Sequence, residues 1–93
     1  MIFRYSKSAL KDLANWKKSG QSKVLQKIKD IQSEIEKNPT AIKGKYSPEQ
    51  LKYDYSGWYS REITRKDRFV YRPHPSENDV IEVIQCKGHY GDD

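Results

Sequence analysis

Two apolar stripes at helical spacing occupy the first 37 residues, and they constrain the fold more than any other feature. The first stripe follows Ser6, which is a favourable N-cap residue, and consists of Leu10, Leu13, Ala14 and Trp16/Lys17. It ends at Ser19-Gly20, because glycine can take the left-handed conformation of a helix end. The second stripe, for which Ser22 is the predicted cap, consists of Val24, Ile28, Ile31 and Ile35. It stops at Asn38-Pro39 because the residue before a proline disfavours the α region. Two such helices with lysine-rich backs bury too little surface to be stable alone, so the chain must supply a sheet.

The second half of the chain supplies that sheet. A 12-residue connection, PTAIKGKYSPEQ, leads to LKYDY, and Ser56-Gly57 predicts a tight turn between this strand and WYSREIT. Residues 65–67 turn the chain into RFVYR, and a proline-rich loop at 73–79 precedes VIEVIQCK, whose β-branched residues are typical of a central strand. With IFRY at positions 2–5 as an edge strand, the sequence predicts an α+β fold: an N-terminal strand and a two-helix hairpin packed on a mostly antiparallel sheet.

Length and composition limit the cellular setting. The 93 residues suffice for one domain, which we place at residues 1–93. One cysteine cannot form an internal disulfide, and no apolar run is long enough to cross a bilayer. We therefore expect a cytoplasmic protein with no membrane contact.

Positive charge is concentrated in the first half. Residues 1–45 carry 11 Lys/Arg against 4 Asp/Glu, a net of +7, whereas residues 46–93 carry 7 against 9, a net of −2, which gives the overall +5. Most single lysines on helices merely form a solvated face. An excess of this size nevertheless favours a nucleic acid or an acidic protein as partner.

Three polar residues stand out within the second half. Arg68 opens the strand RFVYR, and arginine's planar fork suits a phosphate that gains charge during a reaction. Lys52 offers a point charge for the same purpose. Glu49 is the one acid among residues 37–53, and its carboxylate can take a proton from a hydroxyl. Each of them alone is also compatible with an ordinary solvent-exposed position.

Four segments together resemble a known family. They are PEQLK (48–52), SGWYSR (56–61), RFVY (68–71) and the terminal His89-Tyr90. In combination they resemble the YoeB branch of the RelE superfamily, the toxins of bacterial toxin–antitoxin pairs, and the resemblance runs from the opening strand to Tyr90. It implies a microbial-ribonuclease-like fold and ribosome-dependent cleavage of mRNA at A-site codons, with no metal or other cofactor.

The resemblance also implies a role for each site residue. Glu49 is expected to be the general base for the ribose 2′-OH, and His89 the general acid for the departing 5′ oxygen. Arg68 is expected to stabilise the transition state, Lys52 to add positive charge near the phosphate, and Tyr90 to orient the nucleotide. The chemistry agrees with this division, because a base and an acid on opposite sides of a phosphate each contribute roughly 10²–10⁴-fold and cationic stabilisation often contributes more.

The chain departs from the family pattern at two places. Relatives often have two arginines after the serine, whereas here Arg61 is followed by Glu62. Arg61 is a candidate substrate-binding residue, but alternation places it on the face of Tyr59 and Ile63, so a structural role is equally open. The tail Gly91-Asp92-Asp93 adds two carboxylates that either assist proton donation by His89 or repel the substrate.

Four other conspicuous residues are expected to have ordinary structural roles. We interpret His74, between two prolines, as an exposed loop residue, and Cys86 as a small core side chain rather than a nucleophile. Trp16 and Trp58 are expected to pack, although an RNA contact by Trp58 stays open.

Two other classes of function remain open: a ParE-like toxin that inhibits gyrase and a non-catalytic RNA-binding regulator. The joint presence of acid, base and cations argues against the first. We expect mRNA on the 30S A site as substrate and a YefM/Phd-like acidic antitoxin as partner, ordering on the toxin as disordered segments do. The resemblance further suggests a homodimer.

Overall fold

Two helices pack against one face of a five-stranded sheet in a computed structural model that describes residues 1–89. The elements are β1 (Ile2–Tyr5), α1 (Lys7–Lys18), α2 (Ser22–Lys37), β2 (Glu49–Gln50), a 3-10 helix (Tyr53–Tyr55), β3 (Tyr59–Glu62), β4 (Arg68–Pro73) and β5 (Val80–Gln85). The strand order is β1-β5-β4-β3-β2, with β1 parallel to β5 and every other pair antiparallel. The predicted α+β class, the edge position of the first strand and the interior position of VIEVIQ are confirmed.

The helix boundaries follow from capping chemistry. Ser6 caps α1, because its Oγ accepts a hydrogen bond from the backbone N–H of Ala9 at 3.1 Å. Gly20 follows the helix at a φ of 69°, a conformation that glycine adopts without strain. The predicted stripe of α2 is confirmed in full, since its four members are all buried: Val24, Ile28, Ile31 and Ile35.

Two details of the helix prediction were wrong. Ser22 is the first residue of α2 rather than its cap; Gln21 holds the cap position without a side-chain hydrogen bond. Two members of the predicted α1 stripe, Leu10 (54% exposed) and Ala14, are exposed, whereas Ala9 is completely buried. The buried face of α1 therefore runs through positions 9, 13 and 16, because steps of four and three residues keep side chains on one side of a helix.

The prediction of a strand at LKYDY was also wrong. The strand lies earlier, at β2, where Glu49 pairs with Ser60 and Gln50 with Tyr59. Residues 51–58 then form an eight-residue connection instead of a two-residue turn. The physical cause is local: the Leu51 N–H bonds to the carbonyl of Trp58 at 2.9 Å, and the chain curls into the 3-10 helix between them.

The core lies between the helices and the inner face of β3, β4 and β5. Phe69 and Tyr71 of β4 are both fully buried, and their rings lie 5.9 Å apart. Helix α1 is tied to the end of β5 by two hydrogen bonds: Trp16 Nε1 donates to the carbonyl of Cys86 at 2.7 Å, and the Cys86 N–H donates to Asp12 Oδ2 at 3.0 Å. Cys86 is itself fully buried, as predicted for a core side chain. Across residues 1–89, no helix has the length and apolar character needed to cross a membrane.

Candidate active site

The pairing register places Glu49 and Arg68 on the same face of the sheet. Glu49 lies opposite Ser60, and Glu62, two residues further along β3, lies opposite Arg68. Since paired residues share a face and side chains alternate along a strand, these four project from the face that the helices do not cover. A strand spacing of about 4.8 Å and a rise of about 3.4 Å per residue put the Cα atoms of Glu49 and Arg68 roughly 12 Å apart. Two long side chains can approach one phosphate group across that distance.

Arg68 is held by several acceptors. Its Nη1 donates to the carbonyl of Thr64 at 2.8 Å and to that of Asp67 at 3.2 Å, and its Nη2 lies 3.4 Å from Glu62 Oε1. Its side chain is only 17% exposed. The guanidinium therefore has a fixed direction before any substrate binds, as a group that stabilises developing charge requires.

The end of β5 brings His89 next to Arg68. The Arg68 N–H bonds to the carbonyl of Gly88 at 2.9 Å, so the Gly88–His89 peptide continues the sheet beside β4. Asp67 fixes the preceding Lys87–Gly88 peptide, since its Oδ1 accepts from the Gly88 N–H at 2.7 Å while its Oδ2 accepts from the Thr64 hydroxyl. His89 is partly buried. Glu49, Arg68 and His89 thus lie in that order across the sheet, with the arginine in the middle.

The segment before Glu49 is strained, and two hydrogen bonds from β3 hold it in place. Tyr46 and Ser47 have φ angles of 67° and 51°, in the left-handed region that residues with a Cβ seldom adopt. The Glu62 N–H donates to the Tyr46 carbonyl at 2.7 Å, and Arg61 Nη1 donates to the Lys45 carbonyl at 3.0 Å. Such strain persists where neighbouring structure fixes it and is common at functional sites. The sheet therefore sets the position of Glu49 through two bonds to the preceding loop.

Arg61 lies on the opposite, helix-covered face. It is 1% exposed, and its Nε donates to the Tyr71 hydroxyl at 3.1 Å. This environment is the one that alternation predicted, beside Tyr59 and Ile63. Lys52, in contrast, is exposed at the start of the connection after β2. Tyr90 and the tail Gly91-Asp92-Asp93 lie outside the described residues.

The prediction that His74 is an exposed loop residue was wrong. Its side chain is 17% exposed, and its Nδ1 accepts hydrogen bonds from the backbone N–H groups of Ser76 and Glu77 at 3.1 and 2.9 Å. The ring therefore organises the loop between β4 and β5.

Trp58 packs under the guanidinium of Arg72, which lies 4.4 Å from its ring centroid. Burial, with a smaller contribution from Asp12, raises the pKa of the Cys86 thiol to about 12.

A cleft of about 880 Å³ opens beside His89, and Glu49 is not part of its lining. One wall is α1, with Asp12 and Asn15, and another is the turn between β3 and β4, with Arg65 and Lys66. Lys87 and the end of β5 form the rest of its lining. No group of three or more His, Cys, Asp or Glu that could hold a metal ion occurs within residues 1–89.

The sequence analysis missed Asp67 and the pairing of Glu62 with Arg68. The pattern Thr64-Arg-Lys-Asp67 indicates a turn in which threonine and aspartate bond to each other. No sequence signal shows, however, that the same aspartate bonds a backbone N–H 21 residues later. The Glu62–Arg68 contact depends on strand register, which the misplaced β2 obscured.

The layered fold, with two helices on a mixed five-stranded sheet of order β1-β5-β4-β3-β2, is that of a RelE-like toxin domain. The particular branch is shown by sequence comparison. The chain belongs to the family described as "YoeB-like toxin of bacterial type II toxin-antitoxin system", whose model matches residues 5–90.

Individual relatives agree with that assignment. Toxin YoeB of Streptomyces coelicolor is 32% identical over 90 residues, which cover 97% of this chain and all of that protein. A solved structure described as "YoeB/ParE toxin from Agrobacterium tumefaciens" superposes with a TM-score of 0.86 at 36% identity, covering 97% of this chain and 100% of that one. YoeB of Staphylococcus aureus is 30% identical, and the alignment covers 97% of this chain and 98% of that one. The TM-score is 0.81 for its structure in a heterotetrameric YoeB-YefM complex and 0.80 for its structure as a YoeB dimer.

Proposed function

We propose that this toxin is an endoribonuclease that cuts mRNA in the ribosomal A site and thereby inhibits translation in the cytoplasm. The observation that supports the proposal is the order of Glu49, Arg68 and the Gly88–His89 peptide across the sheet, with Arg68 between the residues of the two proposed proton-transfer groups. A phosphodiester above Arg68 would have a carboxylate on one side and an imidazole on the other. In-line transfer at phosphorus needs this arrangement, because the attacking and leaving oxygens lie on opposite sides.

The proposed reaction is a transfer through the 2′ oxygen. Glu49 takes the 2′-OH proton, the 2′ oxygen bonds to phosphorus, and the bond from phosphorus to the 5′ oxygen breaks as His89 gives that oxygen a proton. Arg68 offsets the charge that develops on the phosphoryl oxygens. The products are a 2′,3′-cyclic phosphate, or the 3′-phosphate formed from it by water, and a 5′-hydroxyl on the downstream fragment.

The remaining site residues have supporting roles in this proposal. Lys52 is exposed three residues after Glu49 and adds positive charge on the side of the attacking oxygen. Tyr90 orients the nucleotide, a role that rests on the family resemblance. Arg61 is buried, so it supports the strained loop before Glu49 instead of contacting RNA.

We also propose an acidic antitoxin and a homodimer for this chain. The support is the S. aureus relative, which has been solved both as a YoeB-YefM complex and as a dimer. The net charge of +7 on residues 1–45 gives an acidic antitoxin a complementary surface on the helices. A toxin–antitoxin structure in which the antitoxin contacts neither the helices nor the His89 end of the sheet would contradict this part of the proposal.

The test is primer extension on a reporter mRNA in a purified translation system, with and without ribosomes. The wild type is compared with Glu49→Ala and His89→Gln. Matched controls are Glu36→Ala, an exposed glutamate of α2, and His74→Gln, the other histidine. We expect cuts within A-site codons that need ribosomes, persist in both controls and fall by at least about 10²-fold in both site variants.

The alternatives predict different results in the same assay. If no cuts appear but DNA supercoiling by gyrase is inhibited, the ParE-like function replaces the proposed one. If no cuts appear and His89→Gln weakens only RNA binding, the chain is a non-catalytic regulator.

A further inference from the structure

The cleft beside His89 contains a group of cations to which the proposed reaction assigns no role. Arg65, Lys66 and Lys87 all line it, and all three are exposed. Two come from the turn between β3 and β4, and the third from the segment after β5. Three positive charges from two separate parts of the chain therefore converge on one opening.

The acids of the same cleft are already engaged. Asp12 accepts the Cys86 N–H, and Asp67 accepts the Gly88 N–H and the Thr64 hydroxyl. Arg65, Lys66 and Lys87 make no ion pair with any carboxylate among residues 1–89; Lys87 does lie 5.7 Å from the ring centroid of Trp16. A ligand that enters the cleft thus meets three cations that form no ion pair within residues 1–89 and two carboxylates that accept hydrogen bonds from neutral groups, so positive charge exceeds negative charge in the lining.

The position of the cleft decides which part of an RNA it faces. His89 is part of its lining and Glu49 is not, and α1 forms one of its walls. In the proposed reaction His89 protonates the 5′ oxygen of the leaving fragment, so the downstream nucleotide departs toward the cleft. The next phosphate of an extended strand lies about one nucleotide beyond the scissile one, on this side.

We infer that the cleft is a binding site for the phosphodiester immediately downstream of the scissile bond, with Arg65, Lys66 and Lys87 as its cationic contacts. This inference rests on the proposed function, because the direction of the strand follows from the role of His89. Its ligand is the backbone of the substrate RNA itself. The site positions the leaving fragment and selects no base, since phosphate contacts carry no direct sequence information.

The test measures binding to short RNAs that cannot be cleaved because the scissile nucleotide carries a 2′-deoxyribose. One probe ends in a 3′-hydroxyl one nucleotide after the scissile bond, and the other carries a 3′-phosphate at that end. We expect the full-length wild-type protein to bind the phosphorylated probe about tenfold more tightly, as one charge-assisted contact provides. The slope of log affinity against log salt is expected to be steeper by about 0.7 for that probe, the value for one single-strand phosphate.

Two triple variants with the same net charge separate a site from general attraction. Arg65→Ala/Lys66→Ala/Lys87→Ala is expected to lose the tenfold preference, and Lys23→Ala/Lys29→Ala/Lys43→Ala, on exposed surfaces away from the cleft, is expected to keep it. Equal loss in both variants, or a preference that survives in the cleft variant, overturns the inference.

Two further measurements separate the sources of failure. If the cleft variant keeps the oligonucleotide preference but no longer sediments with ribosomes, the cations contact ribosomal RNA and the inference is wrong. Cleavage by the wild type in the primer-extension assay establishes the proposed function independently, because the binding probes report no chemistry.

Discussion

Glu62 and Arg68 face each other across β3 and β4, with the carboxylate Oε1 3.4 Å from the guanidinium Nη2. The contact joins a proposed catalytic cation to an acid from the same chain. Arg68 also donates to the carbonyls of Thr64, Arg65 and Asp67, so its orientation does not depend on the acid alone. The main effect of Glu62 is therefore to neutralise part of the charge that a phosphate would meet.

Glu62→Gln should make the toxin faster. Removal of the carboxylate charge leaves Arg68 oriented by backbone carbonyls, and a partly exposed ion pair of this kind is worth up to about 1 kcal/mol. We expect the rate of mRNA cleavage to rise about two- to fivefold at low salt, with a smaller gain at high salt because salt screens the interaction. Glu36→Gln changes the net charge equally on α2 and should leave the rate unchanged. A slower Glu62→Gln enzyme would show that the pair orients Arg68 after all.

Asp67→Asn should impair catalysis through the position of His89. The two hydrogen bonds use different carboxylate oxygens, and in asparagine one of these positions is an NH2 group that cannot accept, so either the Gly88 N–H or the Thr64 hydroxyl loses its acceptor. We expect kcat to fall about tenfold or more with KM within about twofold, because the change displaces a proton donor without removing a substrate contact. Steady-state kinetics and a thermal melt of the same preparations check this. Asp79→Asn, an exposed aspartate before β5, is the matched control. A rise in KM at constant kcat would assign Asp67 to substrate binding instead.

Arg61→Met should destabilise the fold, and Tyr71 should account for part of the loss. The substitution removes hydrogen bonds to the Tyr71 hydroxyl and the Lys45 carbonyl and leaves both groups without that partner. We expect the free energy of unfolding to fall by about 2–4 kcal/mol. Urea titrations of Arg61→Met, Tyr71→Phe and the double variant should give a coupling energy of about 1–3 kcal/mol. A coupling near zero would mean that the two side chains do not interact.

Stability should decline at alkaline pH. The thiol of Cys86 has a pKa raised from 9.0 to about 12 by burial, and burial also raises the pKa of Tyr5. Between pH 9 and 12 the unfolded thiol releases its proton while the folded one keeps it, so rising pH favours unfolding by about 1.4 kcal/mol per unit for such a group. Chemical denaturation from pH 8 to 11 should show this decline, shallower in Cys86→Ala. An unchanged slope in that variant would assign the decline to the tyrosines.

Local chemistry made much of the fold predictable. Proline, glycine and serine marked the helix ends, and the α2 stripe is buried as its spacing predicts. The prediction of a strand at LKYDY failed although this segment has the composition of a strand. The Leu51 N–H bonds to the Trp58 carbonyl, and the chain between them forms a 3-10 helix. The burial of Leu51 and its hydrogen bond to the Trp58 carbonyl outweighed the local preference for an extended chain.

The members of the proposed site could be named from the sequence, but their arrangement could not. The residue types of Glu49, Arg68 and His89 suggest their proposed roles, whereas only the strand register shows that the first two share a face. The contacts that hold them depend on tertiary structure: Asp67 on Gly88 joins two turns, and Arg61 reaches a loop carbonyl 16 residues away. Nothing in the local sequence specifies such long-range hydrogen bonds.

The pairing of β1 with β5 has a consequence for when the proposed site can assemble. Ile2 lies beside Val80, so two strands far apart in the sequence form one parallel pair. A nascent chain emerges amino terminus first, and contacts of such long sequence separation form late. The proposed active site includes His89, which follows β5, so it cannot assemble before both β5 and His89 have left the ribosome that synthesises them. A nascent chain that lacks either of them has no complete site.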